Sequence, residues 1–208
     1  MEHHQLALVG VERVDASESD AATPVAFIDT NSQYGFAIET ELVDFLIDAG
    51  NDEFWRLELT NRSPDPITIV WPDARFVDEN AREWPIYWSN RYPEIDEIHA
   101  SAPQVVQSME KIRGQIVPVG KAYWAVYDCN SYNRVYESLV PNPIQGRTEH
   151  EINARLDALM AERTPLVLRV PIASSEQTLV LQMTFNVVEG YMRRMETQAI
   201  EGRLEEEQ

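Results

Sequence analysis

Apolar and polar side chains alternate along much of this chain, most clearly in Phe54-Trp55-Arg56-Leu57-Glu58-Leu59-Thr60. Successive strand residues point to opposite faces, so this order sets Trp55, Leu57 and Leu59 on one side and Arg56, Glu58 and Thr60 on the other. A longer alternation over Thr178 to Val188 aligns Leu179, Leu181, Met183, Phe185 and Val187 in the same way. Shorter β-rich runs are expected at Leu6 to Val14, Val25 to Asp29, Tyr34 to Glu39, Leu42 to Ile47, Gln115 to Val119, Ala122 to Asp128 and Leu166 to Ile172.

Turn chemistry punctuates these runs. Asn61-Arg62-Ser63-Pro64-Asp65-Pro66 separates the first alternation from Ile67 to Trp71, which predicts a hairpin between the two. Asp78-Glu79-Asn80-Ala81 joins Ala74 to Val77 with Arg82 to Trp88, a second turn between short strands in which Trp84, Ile86 and Trp88 share one face. Asn90 to Ala102 is polar, aromatic and proline-containing, and is expected as an excursion loop.

One helix breaks the pattern. Thr148 and Glu151 have capping-box spacing, and Ile152, Leu156, Leu159 and Met160 follow at helical intervals, so a helix is expected over about 149–163, stopped by Pro165. Residues 1–190 then make one domain, and 191–208 a charged tail, helical or frayed. Many short strands with one inserted helix are the signature of a sandwich or small barrel, so a mainly β fold, an antiparallel β-sandwich, is expected, with an α+β layer fold as the alternative.

The order of segments from Tyr34 to Val188 resembles a family of uncharacterised bacterial proteins, many exported or lipid-anchored, that carry an immunoglobulin-like β-sandwich. The residues that carry the resemblance are Leu57-Glu58-Leu59-Thr60-Asn61-Arg62-Ser63, Ile67-Thr68-Ile69-Val70-Trp71, Ala74-Arg75-Phe76-Val77-Asp78, Gln115-Ile116-Val117-Pro118-Val119-Gly120 and Leu166-Val167-Leu168-Arg169-Val170-Pro171-Ile172. The resemblance implies an immunoglobulin-like fold and no catalytic residue. Where the family has a glycine in its turn, this chain has Asn80-Ala81.

Charge narrows the choice of partners. The 208 residues include 35 Asp and Glu against 17 Lys and Arg, a formal net charge of −18, and only Lys111 and Lys121 are lysines. Such a surface repels phosphates, so nucleic acid and anionic membranes are not expected as partners. Screening by salt relieves self-repulsion of this size, which points to a halophilic source. No run of about 18 apolar residues occurs, so no transmembrane segment is expected. Met1 to Gly10 lacks the pattern of a signal peptide, which leaves the compartment open: the cell envelope if a leader has been removed, otherwise cytoplasmic.

Catalytic machinery is not expected. The four histidines, His3 and His4 in a floppy terminus, His99 in the excursion loop and His150 in the helix, accompany no Gly-x-Ser-x-Gly elbow. Cys129 is the only cysteine, which rules out an intrachain disulfide and a multi-cysteine zinc site. No phosphate-binding glycine string occurs, and no cofactor or metal is expected. Asp73, Asp78 and Glu79, or Glu94, Asp96 and Glu97, are acidic loop clusters without EF-hand spacing, read first as solvated surface.

The aromatic residues offer the one candidate site. Trp84, Trp88, Arg91 and Tyr92 lie close in sequence and are the expected ligand-binding residues, able to stack on a sugar ring or grip a peptide. The competing reading divides these aromatics between the core and the underside of the loop. The leading expectation is a non-enzymatic binding or interaction module with a protein or carbohydrate ligand. A hydrolase using calcium or paired carboxylates such as Asp96 and Glu97 is one alternative. A structural subunit of a homo-oligomer, associating through the tail from Tyr191, is the other.

Overall fold

The computed structural model describes residues 2–15, 22–29, 35–49, 54–78, 80–91, 98–99, 101–128, 131–136 and 165–192. In chain order the strands are β1 (Glu2–Asp15), β2 (Ala22–Pro24), β3 (Phe27–Asp29), β4 (Gly35–Glu39), β5 (Val43–Asp48), β6 (Trp55–Asn61), β7 (Ile67–Ile69), β8 (Arg75–Val77) and β9 (Glu83–Ser89). They continue with β10 (Gln104–Val106), β11 (Lys111–Pro118), β12 (Ala122–Asp128), β13 (Ser131–Tyr136), β14 (Leu166–Ala173) and β15 (Thr178–Met192). A 3-10 turn, Trp71–Asp73, is the one helical element among the described residues. The helix expected over 149–163 lies outside them.

The protein is mainly β and antiparallel, its main sheet bent into a half-barrel. Hydrogen-bonded neighbours run β2-β1-β15-β14-β8-β9-β11-β6-β5-β4-β3, with β7 joining β14 to β10, while β12 and β13 pair separately. The two ends of that path, β2 and β3, are consecutive in the chain and separated only by Val25 and Ala26. Strand β9 makes the bend. Its first half pairs with β8, from Glu83↔Val77 to Pro85↔Arg75, and its second half pairs with β11, from Ile86↔Pro118 to Ser89↔Gln115.

The alternation read from the sequence builds the core. Trp55, Leu57 and Leu59 of β6 are buried and face Leu179, Leu181, Met183 and Phe185 of β15, all buried too. The two halves of the sheet meet through aromatic rings: Trp55 lies 4.8 Å from Phe185 and 5.4 Å from Phe76, and Phe36 lies 5.9 Å from Phe185. Tilted and edge-on contacts of this kind add to the burial of large apolar area.

Three expectations change. β6 and β7 are not a hairpin: β6 pairs with β5 and β11, and β7 with β10 and β14. The buried Asn61 side chain explains the departure. Its Nδ2 donates to the carbonyls of Asp65, Val106 and Gln107, and its Oδ1 accepts the Ser63 amide, so the chain is turned out of β6 toward β10. His3 and His4 are in β1, paired with Tyr191 and Gly190, and not in a loose terminus. β15 runs to Met192, two residues past the expected boundary at 190, because β1 supplies a partner over that whole length; the rest of the expected tail lies outside the described residues.

Candidate functional site

The bend at β9 leaves a gap. β8 begins at Arg75, opposite Pro85, so among the described residues the backbone of β9 beyond Pro85 has no strand beside it on that side. Ser101 occupies the position. Its amide donates to the Ile86 carbonyl at 3.5 Å, and its hydroxyl accepts the Trp88 amide at 2.7 Å and donates to the Trp88 carbonyl at 3.3 Å. Between Ser101, the Trp71–Asp73 turn and the end of β9 opens a pocket of about 580 Å³, within the size range of small-ligand sites.

Aromatic packing forms its floor. Trp71, buried, stacks on Trp88 with ring centroids 4.8 Å apart and planes within 10°. The Trp71 indole N–H donates to Gln104 Oε1 at 3.1 Å, which fixes the Gln104 amide on the pocket wall. Trp88 is half-buried and its six-membered ring lies against Gly114, where a Cβ would come within 2.7 Å of Trp88 Cζ2 and 2.4 Å of the Ser89 carbonyl oxygen. Glycine at 114 is therefore what lets this ring lie down over β11. Tyr87 and His99 complete the wall, their rings 6.0 Å apart.

The sequence-derived set separates. Trp88 and Arg91 line the pocket together. Trp84 does not: its indole N–H is bonded to Asp78 of the β8–β9 turn at 2.8 Å and its ring packs on Gly120 of the β11–β12 turn, so its role is structural. Tyr92 lies outside the described residues. Both Tyr87 and Trp88 line the pocket although adjacent strand residues face opposite ways, because the pocket sits at the end and open edge of β9 and takes side chains from both faces. Trp71, Ser101 and Gln104 were not legible as site residues. Trp71-Pro72-Asp73 was the only local signal, a break in strand character, and nothing in its spacing pairs it with Trp88.

The acidic clusters look different once folded. Asp78 is buried, and its carboxylate accepts from Trp84 Nε1, from the amides of Asn80 and Arg82 at 2.9 and 3.0 Å, and faces Lys121 Nζ at 4.0 Å. Burial on its own raises this carboxyl's pKa, but the indole donor, the two amides and the lysine charge outweigh it and hold the pKa below its ordinary value. Such a carboxylate is committed to the turn. Glu79, Glu94, Asp96 and Glu97, with Cys129 and His150, lie outside the described residues. Among the described residues no three His, Cys, Asp or Glu side chains converge as metal ligands, and no helix is long and apolar enough to cross a membrane.

Comparison of the chain with family models, curated proteins and solved structures finds no match.

Proposed function

We propose that this chain is a non-enzymatic binding module on an immunoglobulin-like β-sandwich, with the helix expected over 149–163 inserted between β13 and β14. Its ligand, a carbohydrate or a protein segment, enters the pocket at the open edge of β9. The observation that carries this reading is the Trp71–Trp88 stack. It supplies an apolar, pre-ordered floor beside polar groups from Gln104, Ser101, Asn90 and Arg91, the composition expected of a binding pocket. The net charge of −18 supports a salt-rich setting, and the resemblance to exported and lipid-anchored proteins supports the cell envelope.

The test follows tryptophan fluorescence while the protein is titrated with glycan and peptide libraries at high salt. A ligand should shift the emission of the wild type, and Trp88→Ala and His99→Ala should each weaken its binding at least tenfold with the fold intact by circular dichroism. If no library member binds, or if the variants bind as the wild type does, the pocket is not the site.

A further inference from the structure

We propose that the ligand is an oligosaccharide of several units, lying in a cleft that continues from this pocket onto the outer face of β5, β6 and β11. The inference rests on the pocket reading above and names its ligand class.

A second concavity, of about 340 Å³, adjoins the first at Asn90, which lines both. Register explains its shape. On the outer face one row runs Leu46–Glu58–Arg113 across β5, β6 and β11, and the next runs Asp48–Arg56–Gln115 and on to Ser89 of β9. Between them lies the row Ile47–Leu57–Gly114. Ile47 and Leu57 are buried in the core, and the Cβ direction of Gly114 is likewise inward, toward the Trp88 ring, so between the two outer rows only backbone forms the floor of the valley crossing the strands. The valley points at Asn90, the residue after β9.

The walls of this valley suit hydroxyl groups. Leu46 is 39% exposed and gives one apolar patch. Glu58 bridges Lys111 and Arg113 through its two oxygens, which fixes that side of the rim. Gln115 Oε1 is buried with no hydrogen-bond partner among the described residues, a costly state that a ligand donor relieves. Amide and guanidinium side chains recur along both concavities, at Asn90, Gln104, Gln115, Arg56, Arg91 and Arg113. Their paired donors and acceptors match the neighbouring hydroxyls of a sugar, and the Trp88 edge suits its C–H face.

An extended peptide fits this path less well. Peptides that lie along a sheet take main-chain hydrogen bonds from an unpaired edge. Here Ser101 already holds the Trp88 amide and carbonyl, and the valley crosses the face of paired strands, where no backbone group is on offer.

The experiment is calorimetric titration of the whole protein in high salt with chito-, cello- and manno-oligosaccharides of one to six units, for wild type, Gln115→Ala and Leu46→Ala. One series should bind with affinity rising at least tenfold between one and four units. Both variants should lose most of that gain yet bind the shortest ligands as the wild type does. Equal affinity for one and four units, or groove variants with no effect, overturns the extended cleft and leaves the pocket standing. A peptide that binds in a Trp88-dependent way while every oligosaccharide fails overturns the sugar assignment alone. Failure of every sugar and peptide overturns both readings.

Discussion

Asp78 sits beneath Trp84, with the indole N–H donating to its Oδ2 at 2.8 Å, and a glycine closes the other side of the ring. A Cβ at position 120 would lie 2.8 Å from Trp84 Cζ3, and Gly120 has a φ of +95°, a backbone conformation open to glycine and strained for other residues. The β8–β9 turn and the β11–β12 turn are thereby locked together, with Lys121, itself buried, opposite the same carboxylate.

That lock makes stability acid-sensitive. The Asp78 pKa is depressed in the folded protein, so its contribution is fully present above the pKa of an unfolded Asp and is lost as pH falls through the lower folded value. Denaturant melts should show stability falling below about pH 4. Asp78→Asn keeps acceptors for the two amides but turns a donor toward Trp84 and removes the charge facing Lys121. It should cost about 3 kcal/mol at pH 7 and flatten the acid limb of the profile. An unaltered acid limb in the variant would show that other carboxylates govern it, Glu58 first, whose pKa is also lowered by its two cations against the effect of burial.

Ala81 is a site for stabilisation. The Asp78 carbonyl accepts the Ala81 amide, the Asp78 amide donates to the Arg82 carbonyl, and Ala81 has a φ of +59°. This is the loop geometry in which glycine is favoured at the left-handed position. Ala81→Gly relieves the strain and should raise stability by about 0.5–1 kcal/mol, measured as a higher urea midpoint at unchanged m-value. A lower midpoint would mean that the alanine methyl packs usefully.

Gly114 couples fold and site. Gly114→Ala places a methyl group where the Trp88 ring and the Ser89 carbonyl already are, so it should cost about 1–3 kcal/mol. It should also lift Trp88 off β11 and disturb its stack on Trp71, with a change in near-ultraviolet circular dichroism larger than that of a surface substitution such as Val105→Ala. Normal stability together with a native aromatic spectrum would count against the close approach of Trp88 to Gly114.

What the sequence conveyed, and what it did not, follows from the range of the forces involved. Trp55, Leu57 and Leu59, or Leu179 to Phe185, declare their faces because strand geometry has a period of two and the core accepts only one side. Partner choice has no such local signature. Asn61-Arg62-Ser63-Pro64 has the composition of a hairpin turn, yet its asparagine bonds to Val106 and Gln107, more than forty residues away, and the strands part. The site was half legible for the same reason: Trp84 and Trp88 look alike in sequence, and only the switch of β9 from β8 to β11 assigns one to a structural turn and the other to a pocket.

Salt should stabilise this protein. Thirty-five acidic against 17 basic residues leave 18 uncompensated negative charges on one chain, and mutual repulsion among them opposes the compact state more than the expanded one. Raising ionic strength shortens the Debye length from roughly 10 Å at 0.1 M to about 3 Å at 1 M, below the spacing of most surface charges. Surface pairs such as Arg62–Asp44 and Arg169–Glu83 weaken under the same screening, but each contributes less than about 1 kcal/mol, so the repulsive sum dominates. Thermal melts in potassium chloride from 0.1 to 2 M should show the midpoint rising throughout, most steeply below 1 M where screening changes fastest. A midpoint that falls with added salt would mean that the attractive pairs outweigh the net charge, and the halophilic reading would go with it.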